Sequence, residues 1–99
     1  MGAMVDWRLT EPGRQLDANL VRLSPEHRIE PHVEPDLDVL IVVVEGDGTA
    51  HADDVEHSLE PGALVWLPRG TRRSLHAGPR GLGYLTLHQR RPGMWIKRR

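Results

Sequence analysis

The chain has 99 residues, 27% of them charged and 38% hydrophobic, which fits one domain with one core and leaves no room for a second. It contains no cysteine, which excludes disulfides, thiolate metal sites and cysteine nucleophiles and is compatible with a reducing, cytoplasmic setting. The formal net charge is −1, yet all 14 carboxylates lie at or before Glu60 and nine of the 13 basic residues follow it. In a sheet protein such blocks interleave in space and neutralise one another, so a basic surface for an anionic macromolecule is not expected. No apolar run approaches the roughly 20 residues that span a bilayer, and the first fifteen residues hold no apolar signal core. Neither a membrane nor a nucleic acid is an expected partner.

Eighteen Gly and Pro residues cut the chain at short intervals, the pattern of strands and turns. Residues 1–19 read as an irregular arm, with Trp7 and Leu9 as anchors and Pro12-Gly13 as a turn. Leu16, Leu20 and Leu23 have helical spacing, but the window between Pro12 and Pro25 is short for a helix, and Leu20 to Leu23 is read as a strand. Arg28 to His32 follows as a second strand. Asp38 to Glu45 is the third, and its six consecutive aliphatic residues, Val39 to Val44, predict a central strand covered on both faces. Gly46-Asp47-Gly48 reads as a hairpin turn, because aspartate and glycine tolerate positive φ.

Thr49 to Ala52 returns, and Glu56 to Leu59, Ala63 to Leu67, Arg72 to His76 and Leu82 to Gln89 complete about eight strands. The turns between them are Asp53-Asp54, Glu60-Pro61-Gly62, Pro68 to Thr71 and Gly78 to Gly81. This spacing predicts an all-β sandwich or barrel, with a core over about 20–89 and a basic tail over 90–99. In the tail, Met94-Trp95-Ile96 interrupts the charge, and Trp95 is expected to dock while Lys97, Arg98 and Arg99 stay in water. The tail lacks the clustered aromatic platform of a single-strand nucleic-acid binder.

The string PGALVWLPRGTRRSLHAG places Gly62, Pro68 and Gly70 in the frame Gly, five residues, Pro-x-Gly. That frame resembles the second motif of the cupin family, whose members are double-stranded β-helix barrels of the jelly-roll type. The motif continues with His and Asn, where this chain has Arg73 and Ala77. Of the first motif, His32 takes the first histidine position, Glu34 the second, and Gly46 the closing glycine, while Glu26 replaces the opening glycine. Asp38 stands three residues past Glu34, as the motif's glutamate would. The count back from Gly46 lands instead on Val39, so either a bulge absorbs one residue or the carboxylate is out of ligand register.

The resemblance implies a single-domain cupin barrel with a site at its mouth, where family members hold a divalent metal. His32, Glu34 and Asp38 are an acceptable donor set for such an ion, and with it the chain would be an oxygenase, isomerase or lyase. Arg73 opposes that reading, because a guanidinium donates, cannot accept and repels a cation. Without a metal or other cofactor, Arg73 pairs with Glu34 or Asp38, or Arg72, Arg73 or both hold an anionic small molecule, since arginine offers it a planar fork. The expected ligand-binding residues are therefore His32, Glu34, Asp38, Arg73, Tyr84 and His88.

Tyr84, Thr86 and His88 share one face of the last strand, which either lines the cavity or meets water. His76 lies an odd offset from Arg73 and points away from it. A purely surface-mediated interaction or regulatory role is a weaker alternative. Cupins are commonly dimers, and a doubly apolar strand in so small a barrel needs outside cover. A homodimer using Trp7, Trp66 or Trp95 is therefore expected.

Overall fold

Two facing glycines set the course of the two longest strands. In the computed structural model, which describes residues 2–91, β4 runs over Val39–Ala52 and β7 over Arg72–Gln89. They pair antiparallel along their whole length, from Val39 opposite His88 to Ala52 opposite Arg73. The register shifts between Val43 and Glu45 and again between Gly46 and Gly48. Gly46 and Gly81 both have positive φ, 77° and 81°, and a Cβ on Gly46 would drive into the carbonyl of Gly81. Glycine is what allows the two backbones to bend together there.

The segments read as turns at Gly46–Gly48 and Gly78–Gly81 are thus bends inside continuous strands. The chemistry of a tight turn and of a bulge is the same, a glycine with φ above zero, and local sequence does not separate them.

The remaining strands are β1 (Ala3–Arg8), β2 (Leu16–Leu23), β3 (Arg28–Val33), β5 (Val55–Leu59) and β6 (Leu64–Leu67). On one side of the bend the order is β1, β2, the second half of β7, the first half of β4, and β6. On the other side it is β3, the first half of β7, the second half of β4, and β5. The described residues therefore form seven strands in two sheets that share two bent members, the all-β barrel expected. Residues 3–8, read as part of an irregular arm, form an edge strand against β2. Leu16 to Leu23 is extended throughout, so its helical leucine spacing is overridden by pairing to β7.

Each bend also switches which parity points inward. On β7 the buried side chains are Arg73, Leu75 and Ala77 before the bend, then Leu82 and Tyr84 after it. On β4 they are Ile41 and Val43, then Ala50. With Leu23, Leu59, Val65 and Leu67 all of these except Arg73 make one core between the sheets. Complete burial of Ile41, Val43, Leu59 and Leu67 contributes about 1.5–3 kcal/mol each.

The expectation that Val39 to Val44 is covered on both faces is corrected. Only Ile41 and Val43 are buried, whereas Leu40 and Val42 are half-buried and Val44 is exposed. No helix of the described residues is long and apolar enough to cross a membrane. The expectations for Trp95, Lys97, Arg98 and Arg99 lie outside the described residues.

Candidate functional site

A cavity of about 290 Å³ opens between the sheets at the end away from the glycine bends. Its apolar wall is Ile29, Leu37, Val39, Ile41, Leu67 and Leu75, and its polar residues are His32, Glu34, Arg73, Tyr84, Thr86, His88 and Arg91. Five of the six residues singled out in the sequence therefore meet in one place. The sixth, Asp38, does not.

Strand geometry explains that division. Val39 lines the cavity, so Asp38, one residue earlier, turns outward. There its Oδ1 accepts the backbone N–H of Arg69 at 2.9 Å, and its carboxylate meets the Arg69 guanidinium at 3.3 Å. The motif count that fell on Val39 marked the true register. No bulge brings the carboxylate back.

A bulge does act on β3. Its register to β7 shifts between Ile29 and His32, around Pro31, whose missing N–H cannot join the ladder. Ile29 and His32 are an odd number of residues apart and would otherwise face opposite ways. With the shift, both line the cavity, and His32 stands directly opposite Arg73. His32 Nδ1 lies 3.0 Å from the carbonyl of Glu30.

Arg73 is 95% buried, at 5% exposure. Its Nε–H donates to the carbonyl of Thr71 and its Nη2 to that of Pro68, each at 3.2 Å. Among the described residues it has no carboxylate within ion-pair distance. The expected pairing of Arg73 with Glu34 or Asp38 is thus replaced by two carbonyl contacts. Burial lowers the guanidinium pKa, and the charges of Glu34 and Asp53 oppose that shift from a distance. At neutral pH the group remains a cation.

Glu34 is committed elsewhere. Its Oε2 accepts the Asp36 N–H at 2.9 Å and its Oε1 accepts Arg91 Nη2 at 2.6 Å. These contacts hold its carboxyl below the ordinary range, the Asp36 amide first and Arg91 second. Sequence reading missed Arg91, which lies 57 residues away and carries no local signal of the pairing.

Tyr84 is 3% exposed, and burial pushes its hydroxyl up to about 12. Among the described residues nothing hydrogen-bonds that hydroxyl. Tyr84, Thr86 and His88 all face the cavity, the alternative that parity alone left open. His88 Nδ1 sits 2.8 Å from the carbonyl of Gln89. His76 lies outside the cavity, 3.3 Å from Glu26, and His51 is beside Glu56 at 3.3 Å.

A divalent metal does not fit these residues. Among the described residues no three His, Asp or Glu side chains converge on a metal position. Asp38 faces outward, the Glu34 carboxylate is held by Arg91 and the Asp36 amide, and a buried guanidinium occupies the wall opposite His32. The set His32, Glu34 and Asp38 is not assembled.

Comparison with known proteins agrees with this architecture. The cupin domain model matches residues 19–79, more than half of the chain. KdgF from Halomonas sp. superposes with a TM-score of 0.74 at 23% identity, covering 88% of this chain and 87% of that one. A conserved protein of unknown function from Streptococcus pyogenes gives 0.74 at 16% identity, over 92% of this chain and 76% of its own. A cupin 2 conserved barrel domain protein from Rhodopseudomonas palustris gives 0.78 at 14% identity, over 86% and 59%. At these identities the likeness is one of fold alone. No curated protein matches the sequence. With the motif frame of Gly62, Pro68 and Gly70 inside the matched span, the chain belongs to the cupin domain family.

Proposed function

We propose that this cupin binds a small anionic molecule in its barrel mouth, through Arg73. The observation that carries the reading is a buried guanidinium on a cavity wall with no carboxylate partner among the described residues. A buried charge needs compensation, and two carbonyl acceptors compensate dipoles without cancelling the charge. An anion in the cavity would cancel it. His32 opposite Arg73, the Tyr84 hydroxyl and His88 supply further polar contacts around the same space. The metal-enzyme alternative has less support, since its donor set does not converge.

Purified protein titrated with small carboxylates and inorganic phosphate is expected to bind at least one of them, and Arg73→Ala to remove that binding. Undiminished binding in the variant would reject Arg73 as the anchor.

We also propose that the chain acts as a homodimer, joined through the outer face of the five-strand sheet. Cross-strand partners lay two apolar rows over that face: Trp7, Leu20, Leu85, Val42 and Leu64 in one, and Ala18, Leu87, Leu40 and Trp66 in the other. Leu64 and Trp66 are 67% and 57% exposed and stand together at the end of these rows, and a contiguous apolar patch of that kind marks an interaction surface. Five strands about 4.8 Å apart, each about six residues long, give a flat face of roughly 500 Å² before side-chain relief is counted. That is of the order of the roughly 800 Å² per partner that a standard interface buries. Neither row contains a charge, so a second copy of the same face meets no unpaired ion on a two-fold axis.

A further inference from the structure

From the charge count and the donor geometry of the cavity, we infer that its ligand is a monocarboxylate carrying a compact apolar body, held end-on by Arg73. This rests on the anion-binding reading and narrows it to a chemical class. A guanidinium has five N–H donors in a planar fork. The Nε–H and one Nη2–H are taken by the carbonyls of Thr71 and Pro68, which leaves three donors at the far end of the fork. Two of these, one from each terminal nitrogen, match the two oxygens of a carboxylate.

The charge balance selects a single negative charge. Glu34 is already engaged by Arg91 and by the Asp36 amide, and Glu34 and Asp53 act on Arg73 only from a distance, so its guanidinium is the positive charge of the site without a direct carboxylate partner among the described residues. A second negative charge on the ligand would lie near the Glu34 carboxylate with no cation of its own. The rest of the space is apolar. Ile29, Leu37, Val39, Ile41, Leu67 and Leu75 would be left against water by a wholly polar ligand such as phosphate. At 290 Å³ the cavity holds roughly ten water volumes, which sets the ligand at about ten non-hydrogen atoms. The Tyr84 hydroxyl, which nothing among the described residues hydrogen-bonds, is a further donor on the wall.

The test is calorimetric titration of the full chain at pH 7 with acetate, isovalerate, benzoate, succinate, inorganic phosphate and the uncharged analogue benzamide. Isovalerate and benzoate are expected to bind at least tenfold more tightly than acetate, since each buried CH₂ adds about fourfold. Succinate, phosphate and benzamide are expected to bind at least tenfold more weakly than benzoate. Arg73→Met is expected to abolish benzoate binding and Tyr84→Phe to weaken it severalfold. Tighter binding of succinate or phosphate than of benzoate would overturn the monocarboxylate class and leave the anion-binding reading standing. Benzamide binding as well as benzoate, or no anion binding at all, would overturn both. The ligand series is measured on the unaltered protein, so a variant that fails to fold does not remove the test.

Discussion

Asp38, just before β4, and Val39, its first residue, point opposite ways, the valine in the cavity wall and the aspartate outside it, bonded to Arg69. The residue that the motif would use as a metal ligand is thereby spent on the outer surface. Asp38→Ala should leave benzoate affinity within twofold of the unaltered protein and cost about 1 kcal/mol or less, the usual worth of an exposed ion pair. Calorimetry and thermal denaturation read the two effects separately. Titration with iron, manganese, nickel and zinc is expected to yield no stoichiometric ion. A stoichiometric ion that disappears in His32→Ala would restore the ligand-set reading.

The crossing of Gly46 and Gly81 predicts a sharp contrast between glycines. Gly46 combines a φ of 77° with a neighbouring carbonyl where its Cβ would go. Gly62 has a φ of 91° but open space around it. Gly62→Ala is expected to cost about 1–2 kcal/mol, from conformation alone. Gly46→Ala adds a backbone clash at the core bend and is expected to cost more than about 3 kcal/mol, enough to threaten folding. Urea denaturation of both variants gives the comparison, and equal losses would remove the close approach as a cause.

Fold was more legible than site, for reasons that individual residues show. The aliphatic run at Val39 to Val44 and the frame of Gly62, Pro68 and Gly70 mark strands and turns locally, so the barrel could be read from them. Gly46 and Gly81 carry the local signal of turn formers, because the partner of each across the bend is distant in sequence. Ala3 to Arg8 is exposed along its whole length, and the alternation of Val5-Asp6-Trp7-Arg8 is too short to mark an edge strand apart from an extended arm. The inward side of each strand depends on bulges, and the shift around Pro31 decides where His32 points. Arg91 could not be assigned to Glu34, since charge pairs between strand ends leave no trace in spacing.

Glu34 gives an acid-side prediction. Its folded pKa lies below the ordinary 4.5, so its contribution to stability is fully present above pH 4.5 and fades as pH falls through the folded value. Glu34→Gln should therefore melt below the unaltered protein at pH 7 and match it once Glu34 is protonated. With Arg91 half-exposed, the expected difference at pH 7 is about 0.2–1 kcal/mol. A gap that persists unchanged into acid would mean that packing, rather than charge, sustains it.

Tyr84 is the sole tyrosine of the chain, so tyrosinate absorbance reports it alone. Native protein is expected to titrate at about 12, and urea-unfolded protein near the ordinary 10.0. The raised folded pKa means that the stabilisation is intact below pH 10 and is lost between 10 and about 12, as the unfolded chain ionises first. Benzoate, with its carboxylate accepting from the hydroxyl, should raise the native midpoint further. A native midpoint at 10 would show the ring to be more open to water than its 3% exposure implies.

Leu64 and Trp66 lie side by side on the outer face of β6, paired with Val42 and Leu40 of β4. Both are more than half exposed, so replacing them removes little packing within one chain. Leu64→Glu and Trp66→Glu place a charge in the apolar rows, where a second copy would have to bury it unpaired at a cost of several kcal/mol. Sedimentation equilibrium is expected to show a dimer for the unaltered chain and a monomer for the double variant, with the melting curve still cooperative. Asp54→Lys, on the far side of the barrel, serves as the charge control and should stay dimeric. A monomeric unaltered chain at high concentration, or a double variant that still dimerises, would rule out this face as the interface.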